Sequence, residues 1–129
     1  DENTAIVRLR MNDHLPLGEA LMNQQLVAGV GNVYKSEILF MNRLNPFEPL
    51  SSFDEETLRL CLRSARHYMR RNLEGLRRKF RGSTLGDRLW VYRRQGMPCL
   101  ECSGPIAMQR QGETARSTYY CPVCQGTGR

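Results

Sequence analysis

Two cysteine pairs near the C-terminal end constrain this 129-residue chain more than any other feature. Cys99-Leu-Glu-Cys102 and Cys121-Pro-Val-Cys124 are CxxC steps with 18 residues between them. Each step brings two thiolates close enough to share one tetrahedral ion. The stretch between is long enough for a hairpin that returns the second pair to the first. Ile106 to Arg110 and Ser117 to Tyr120 read as the strands, with Gln111-Gly112 in the turn region. The spacing alone also suits an iron–sulfur site, but a small hairpin with two such steps favours structural zinc on Cys99, Cys102, Cys121 and Cys124. Four cysteines close the coordination shell and leave no place for an activated water. The metal's work is then to fold about 30 residues that bury too little apolar surface alone.

Disulfides are the other use of paired cysteines, and they are disfavoured in a chain read as cytoplasmic. That reading rests on the acidic start Asp1-Glu2, which opens no signal peptide, and on the lack of a membrane-length apolar run at a mean hydropathy of −0.52. No membrane partner is expected, and the chain is expected to be a monomer. The fifth cysteine, Cys61, falls in the apolar stripe of a helix and reads as a small buried hydrophobe.

The rest of the chain is predicted to be mainly α: a bundle of roughly four helices ahead of the finger. Residues 1–14 read as a lead-in, with Ala5 to Arg10 a short strand or extended linker and Pro16 a boundary. Residues 15–88 form the helical part and 89–129 the finger. A helix spans Leu17 to Val27 and stops at Gly29-Val30-Gly31, after which Asn32 caps a second helix from Val33 to about Arg43. A third helix is signalled by the capping-box spacing of Ser52 and Glu55. Its apolar stripe runs through Leu58, Cys61, Leu62, Ala65, Met69, Leu73 and Leu76. Gly82 to Gly86 reads as a loop, and Leu89 to Tyr92 as an extended lead into the finger.

Charge is unevenly spread. Residues 59–94 carry 12 Lys/Arg against 2 Asp/Glu, whereas residues 1–58 carry 4 against 9. Such a block attracts a polyanion, with phosphate contacts that weaken as salt rises. Its plainer reading is a solvated helix face, and its position next to a metal finger favours the first. The glycine turn adds a second phosphate signal. Backbone N–H groups and a helix start converge there, with Asn32 as amide donor and Lys35 one turn on. The same turn also serves helix closure alone.

The run Leu17-Gly-Glu-Ala-Leu-Met-Asn-Gln-Gln-Leu-Val-Ala-Gly-Val-Gly-Asn-Val-Tyr-Lys-Ser-Glu37 closely resembles the helix–two-turn–helix element of the formamidopyrimidine-DNA glycosylase and endonuclease VIII family. Val91-Tyr-Arg-Arg-Gln-Gly-Met-Pro-Cys99 and Arg116-Ser-Thr-Tyr-Tyr-Cys-Pro-Val-Cys-Gln125 resemble that family's zinc finger. The resemblance covers about residues 15–125 and leans towards the endonuclease VIII-like branch. It implies the DNA-binding C-terminal portion of a base-excision-repair glycosylase and AP lyase, acting on double-stranded DNA with damaged bases or abasic sites. By resemblance, Asn32 holds a phosphate near the lesion, Lys35 a neighbouring one, and Arg116 grips the backbone around the flipped nucleotide. The four cysteines match the zinc ligands. Enzymes of the family attack through the secondary amine of an N-terminal proline. This chain begins Asp1-Glu2-Asn3, so no catalytic residue is assigned within it, and it is expected to bind DNA without catalysing. The competing readings are a free-standing nucleic-acid-binding module and a protein-interaction adaptor.

Overall fold

The computed structural model describes residues 1–27, 29–74 and 89–128, with the backbone only at 72–74. Helices α1 (Glu2–Arg10), α2 (Leu17–Met22), α3 (Asn32–Met41) and α4 (Glu55–Glu74) are followed by an antiparallel hairpin of β1 (Ala107–Gln111) and β2 (Arg116–Tyr120). The mainly α architecture with a cysteine-bearing hairpin is as the sequence implies. The expected loop at Gly82–Gly86 and the stripe position Leu76 lie outside the described residues, as does the Leu73 side chain.

The first element differs from its expectation. Ala5 to Arg10 is helical, not extended. The alternating Val7-Arg8-Leu9-Arg10 imitates a strand, but Asp1 caps the first turn by accepting the Thr4 N–H at 2.8 Å. Ile6 and Leu9 are then buried on one face. The helix is pinned to α4 by Glu2, which meets Arg59 at 2.7 Å and Arg63 at 2.8 Å. Those two guanidinium groups hold the Glu2 carboxyl down at about 2, with Arg63 the larger influence. Arg10 ties the other end of α1 to the carbonyls of Leu50 and Phe53.

Helix α2 is shorter than expected. It ends at Met22 because the Asn23 side chain turns back to accept the Gln25 N–H at 2.9 Å, an Asx turn that competes with helix. Gly29, at φ +74°, makes the reversal, a conformation that other residues adopt at a cost. Gly31 does not use that freedom. It is the extended N-cap of α3, so Asn32 is the first helical residue and not the cap.

Helix α4 is the strongest amphipathic segment, with Leu58, Cys61, Leu62 and Ala65 buried along one side. Its cap is Asp54, whose Oδ1 accepts the Thr57 N–H at 2.8 Å. Ser52 does not fill that role because Leu50–Ser52 is itself a short 3₁₀ turn. Cys61 lies fully inside, its thiol pushed up to about 12 by burial, which fits a hydrophobe and not a nucleophile.

Two apolar clusters hold the molecule together. The larger gathers residues of α1 to α4. The smaller joins Phe40 of α3 to Val91, Cys99, Ile106 and Cys121 of the finger. Helix α3 therefore belongs to both halves. No helix among the described residues is long and apolar enough to cross a membrane.

Candidate metal centre and phosphate-binding edge

The four expected cysteines do converge. The Sγ atoms of Cys99, Cys102, Cys121 and Cys124 lie within 4.8 Å of one another. Cys99–Cys124 and Cys102–Cys121 are separated by 3.8 and 3.4 Å. Backbone N–H groups turn towards the sulfurs: Glu101 to Cys99 at 3.4 Å, Gly104 to Cys102 at 3.4 Å and Cys124 to Cys121 at 3.3 Å. N–H donors aimed at sulfur stabilise thiolate, the form that binds metal. Four such groups could hold one metal ion.

Gln125 fastens this centre to the helices. Its Oε1 accepts the Cys121 N–H at 2.9 Å, and its Nε2 donates to the Leu44 carbonyl at 3.0 Å. Arg94 supports the other approach. Its buried guanidinium donates to the carbonyls of Trp90 and Pro98 at 2.8 and 2.9 Å.

Asn32, Lys35 and Arg116 also come together, on the edge where α3 meets β2. Asn32 Nδ2 donates to Ser117 Oγ, and Lys35 Nζ to the Ser117 carbonyl, each at 3.2 Å. Arg116, the first residue of β2, is exposed. Lys35 is only 1% exposed, and burial, aided by the Arg116 charge, lowers its amine to about 8. It borders a cavity of about 260 Å³ whose wall includes Gly18, Glu19, Gln111, Glu113 and Arg116. Both signs of charge are present there.

The basic block divides on inspection. Arg59 and Arg63 are taken up by Glu2, and Arg94 by carbonyls, so these three serve the fold. Arg66, Arg70 and Arg71 are exposed. Lys79 and the other basic residues of 75–88 lie outside the described residues.

Sequence reasoning passed over three buried polar residues. Glu37, further along α3, accepts the backbone N–H groups of Trp90, Val91 and Tyr92 at 2.6, 2.8 and 3.1 Å. Burial pushes its carboxyl up, and these three donors pull it back. Residues 90–92 thus wrap a carboxylate instead of running extended. Gln111 donates to the Pro46 carbonyl and accepts from Thr118, both at 2.7 Å. Ser36 Oγ accepts the Tyr119 N–H at 3.2 Å. A carboxylate set directly before Ile38-Leu39-Phe40 was the available signal for Glu37.

Residues 2–81 match the H2TH family, described as the formamidopyrimidine-DNA glycosylase H2TH domain. The chain belongs to this family. A formamidopyrimidine-DNA glycosylase of Thermus thermophilus is 38% identical, over 88% of this chain and 45% of the relative. The DNA-(apurinic or apyrimidinic site) lyase Nei2 of Mycolicibacterium smegmatis is 42% identical, over 85% of this chain and 42% of the relative. The chain spans about half the length of the curated relatives it matches. Relatives of both names match, so neither branch is singled out. The structure of Lactococcus lactis Fpg with an abasic-site-containing DNA superposes with a TM-score of 0.77 at 27% identity, over 97% of this chain and 48% of that one. In this H2TH chain the family match takes in Asn32 and Lys35, while Arg116 and the cysteine centre lie beyond it.

Proposed function

We propose that this chain is the DNA-binding portion of a base-excision-repair glycosylase and AP lyase, and that it holds the phosphates of double-stranded DNA around a damaged base or abasic site. The observation that carries the reading is the convergence of Asn32, Lys35 and Arg116, from two elements more than 80 residues apart in sequence, on one edge around Ser117. An amide donor, an ammonium and a guanidinium beside a helix start make an acceptor-seeking surface suited to phosphodiesters. The relatives are glycosylases and AP lyases by name, and an Fpg of the same fold is known with abasic-site DNA.

Zinc is the metal we assign to Cys99, Cys102, Cys121 and Cys124. Tetrahedral zinc with thiolates at about 2.3 Å spaces its sulfurs about 3.8 Å apart, close to the separations here. With four protein ligands it fixes the hairpin that carries Arg116 and leaves catalysis to other groups. No residue of this chain is assigned a catalytic role.

The test is a titration of intact duplex and of duplex carrying a stable abasic analogue, at two salt concentrations, with borohydride trapping alongside. Salt-dependent binding, tighter for the abasic duplex and with no trapped adduct, is the expected result. Salt-insensitive or absent binding would overturn the proposal. A trapped adduct would show that an amine of this chain does chemistry.

A further inference from the structure

One residue of the finger, Ser117, meets both phosphate-seeking residues of α3, and the proposed function gives its side chain no role. Ser117 receives Asn32 Nδ2 on its hydroxyl oxygen and Lys35 Nζ on its carbonyl oxygen. The Asn32 amide is held asymmetrically. Its Oδ1 is buried and, among the described residues, has no hydrogen-bond partner. The nitrogen end is the one engaged at the finger, and a phosphate can use only that end, because phosphodiesters accept and do not donate. Nδ2 carries two hydrogens, one of which goes to Ser117, so the second is left for an outside acceptor. Ser117 Oγ, once it accepts from Asn32, still has its own hydrogen to give. Hydrogen bonds that run in one direction polarise each other, so the final donor is strengthened.

We propose that Ser117 is a further phosphate-binding residue, whose hydroxyl orients the Asn32 amide and itself donates to the phosphodiester that Asn32 binds. This rests on the reading of Asn32 and Arg116 as phosphate contacts. The ligand class follows from what is offered: an amide N–H, a hydroxyl O–H and the guanidinium of the adjacent Arg116 are all donors, and a DNA backbone phosphate is purely an acceptor. The role is separable from the strand's structural one. Lys35 grips the carbonyl of residue 117, which any substitution at that position retains, so removing the hydroxyl leaves this tie intact.

The experiment is an anisotropy titration of abasic-analogue duplex with the full zinc-loaded chain as wild type, Ser117→Ala, Ser117→Thr, Asn32→Ala and the Asn32→Ala/Ser117→Ala double variant. Thermal midpoints and zinc content are measured on each. Ser117→Ala is expected to weaken binding by about three- to tenfold, the range of a single hydrogen bond, at an unchanged midpoint. Ser117→Thr should keep wild-type affinity, because it restores the hydroxyl. Adding Ser117→Ala to Asn32→Ala should cost less than it does alone, because the two side chains act on one phosphate. Wild-type affinity in Ser117→Ala would overturn the inference while leaving the proposed function standing. So would an undiminished loss in the Asn32→Ala background. Failure of the wild type to bind DNA in a salt-dependent way would sink both, and it shows before any variant is made.

Discussion

Val91 donates its backbone N–H to Glu37 Oε2 at 2.8 Å, and both residues are completely buried. With the Trp90 and Tyr92 bonds, one α3 carboxylate organises the entry of the chain into the finger. Glu37→Gln would set amide hydrogens against backbone N–H groups at one of the two oxygen positions. The expected loss is about 2–4 kcal/mol, the scale of charge-assisted bonds exchanged for an unsatisfied buried donor. Urea unfolding followed at Trp90 would measure it. An unchanged midpoint would mean that apolar packing, and not Glu37, fixes residues 90–92.

Metal removal should separate the two clusters in a defined way. Trp90, the sole tryptophan, stacks on Phe40 at 5.3 Å, and Phe40 shares the smaller cluster with Cys99, Ile106 and Cys121. A chelator should therefore shift Trp90 emission to the red as the finger opens. Helices α1, α2 and α4 pack through the larger cluster, so most far-ultraviolet helical signal should survive. Simultaneous loss of both signals would show that Phe40 couples the clusters into one cooperative unit.

Gly18 of α2 lies directly against the Gln111 side chain of the hairpin. A Cβ there would collide with the Gln111 amide, its oxygen first. Gln111 cannot swing aside without breaking its bonds to Pro46 and Thr118. Gly18→Ala should thus destabilise the chain by about 1–3 kcal/mol in thermal or urea unfolding, even though alanine favours helix. Equal or greater stability would indicate that the hairpin adjusts freely.

What the sequence disclosed and what it hid divide along contact range. The cysteine centre was legible because four chemically rare residues in two short steps specify their own geometry. The α4 stripe was legible because amphipathic period is local. The Gly29 turn was visible too, though Gly31 proved to be a cap. The nature of residues 5–10 was not visible, since a four-residue alternation fits a strand and only Asp1 and the burial of Ile6 and Leu9 decide for helix. Nor was the fate of the charges. Arg59 and Arg63 look like phosphate ligands in a one-dimensional tally but are paired with Glu2, 57 and 61 residues away. Lys35 and Glu37 are buried by partners more than 50 residues distant, which periodicity does not report. Asn32 and Lys35 were marked by the glycine turn and helix start and assigned, with Arg116, through resemblance, whereas the hydrogen bonds of Asn32 and Lys35 to Ser117 are visible only in the fold.

Arg116 is exposed and begins β2, so its removal should spare the fold while weakening DNA. Arg116→Ala is expected to cost about 1–3 kcal/mol in binding to abasic-analogue duplex, the scale of a charge-assisted contact left unmade. It should also reduce the slope of log affinity against log salt by about one, the signature of one phosphate contact. Unaltered affinity and slope would remove Arg116 from the interface.

Lys35 sets stability against binding. Its amine is held near 8 against an ordinary 10.5, by burial first and by Arg116 second. Between about 8 and 10.5 the unfolded chain holds the proton that the folded chain has lost, so stability should rise with pH across that window. Below about 8 the full cost of the buried ammonium is present, on the order of 3 kcal/mol by linkage. Lys35→Met removes that charge while keeping the volume. The variant should gain about 1–2 kcal/mol at pH 7, after the loss of the bond to Ser117, and its stability should no longer climb above pH 8. Its DNA affinity should fall at pH 7. Wild-type affinity should approach the variant's as pH rises, beginning above 8 because a bound phosphate favours the charged amine. Urea unfolding and duplex titration at pH 7, 8, 9 and 10 measure both. If Lys35→Met is less stable than wild type at pH 7, the hydrogen bond to Ser117 outweighs desolvation and the ammonium serves the fold. If it is more stable and binds more weakly, the buried charge is retained for the phosphate at the expense of stability.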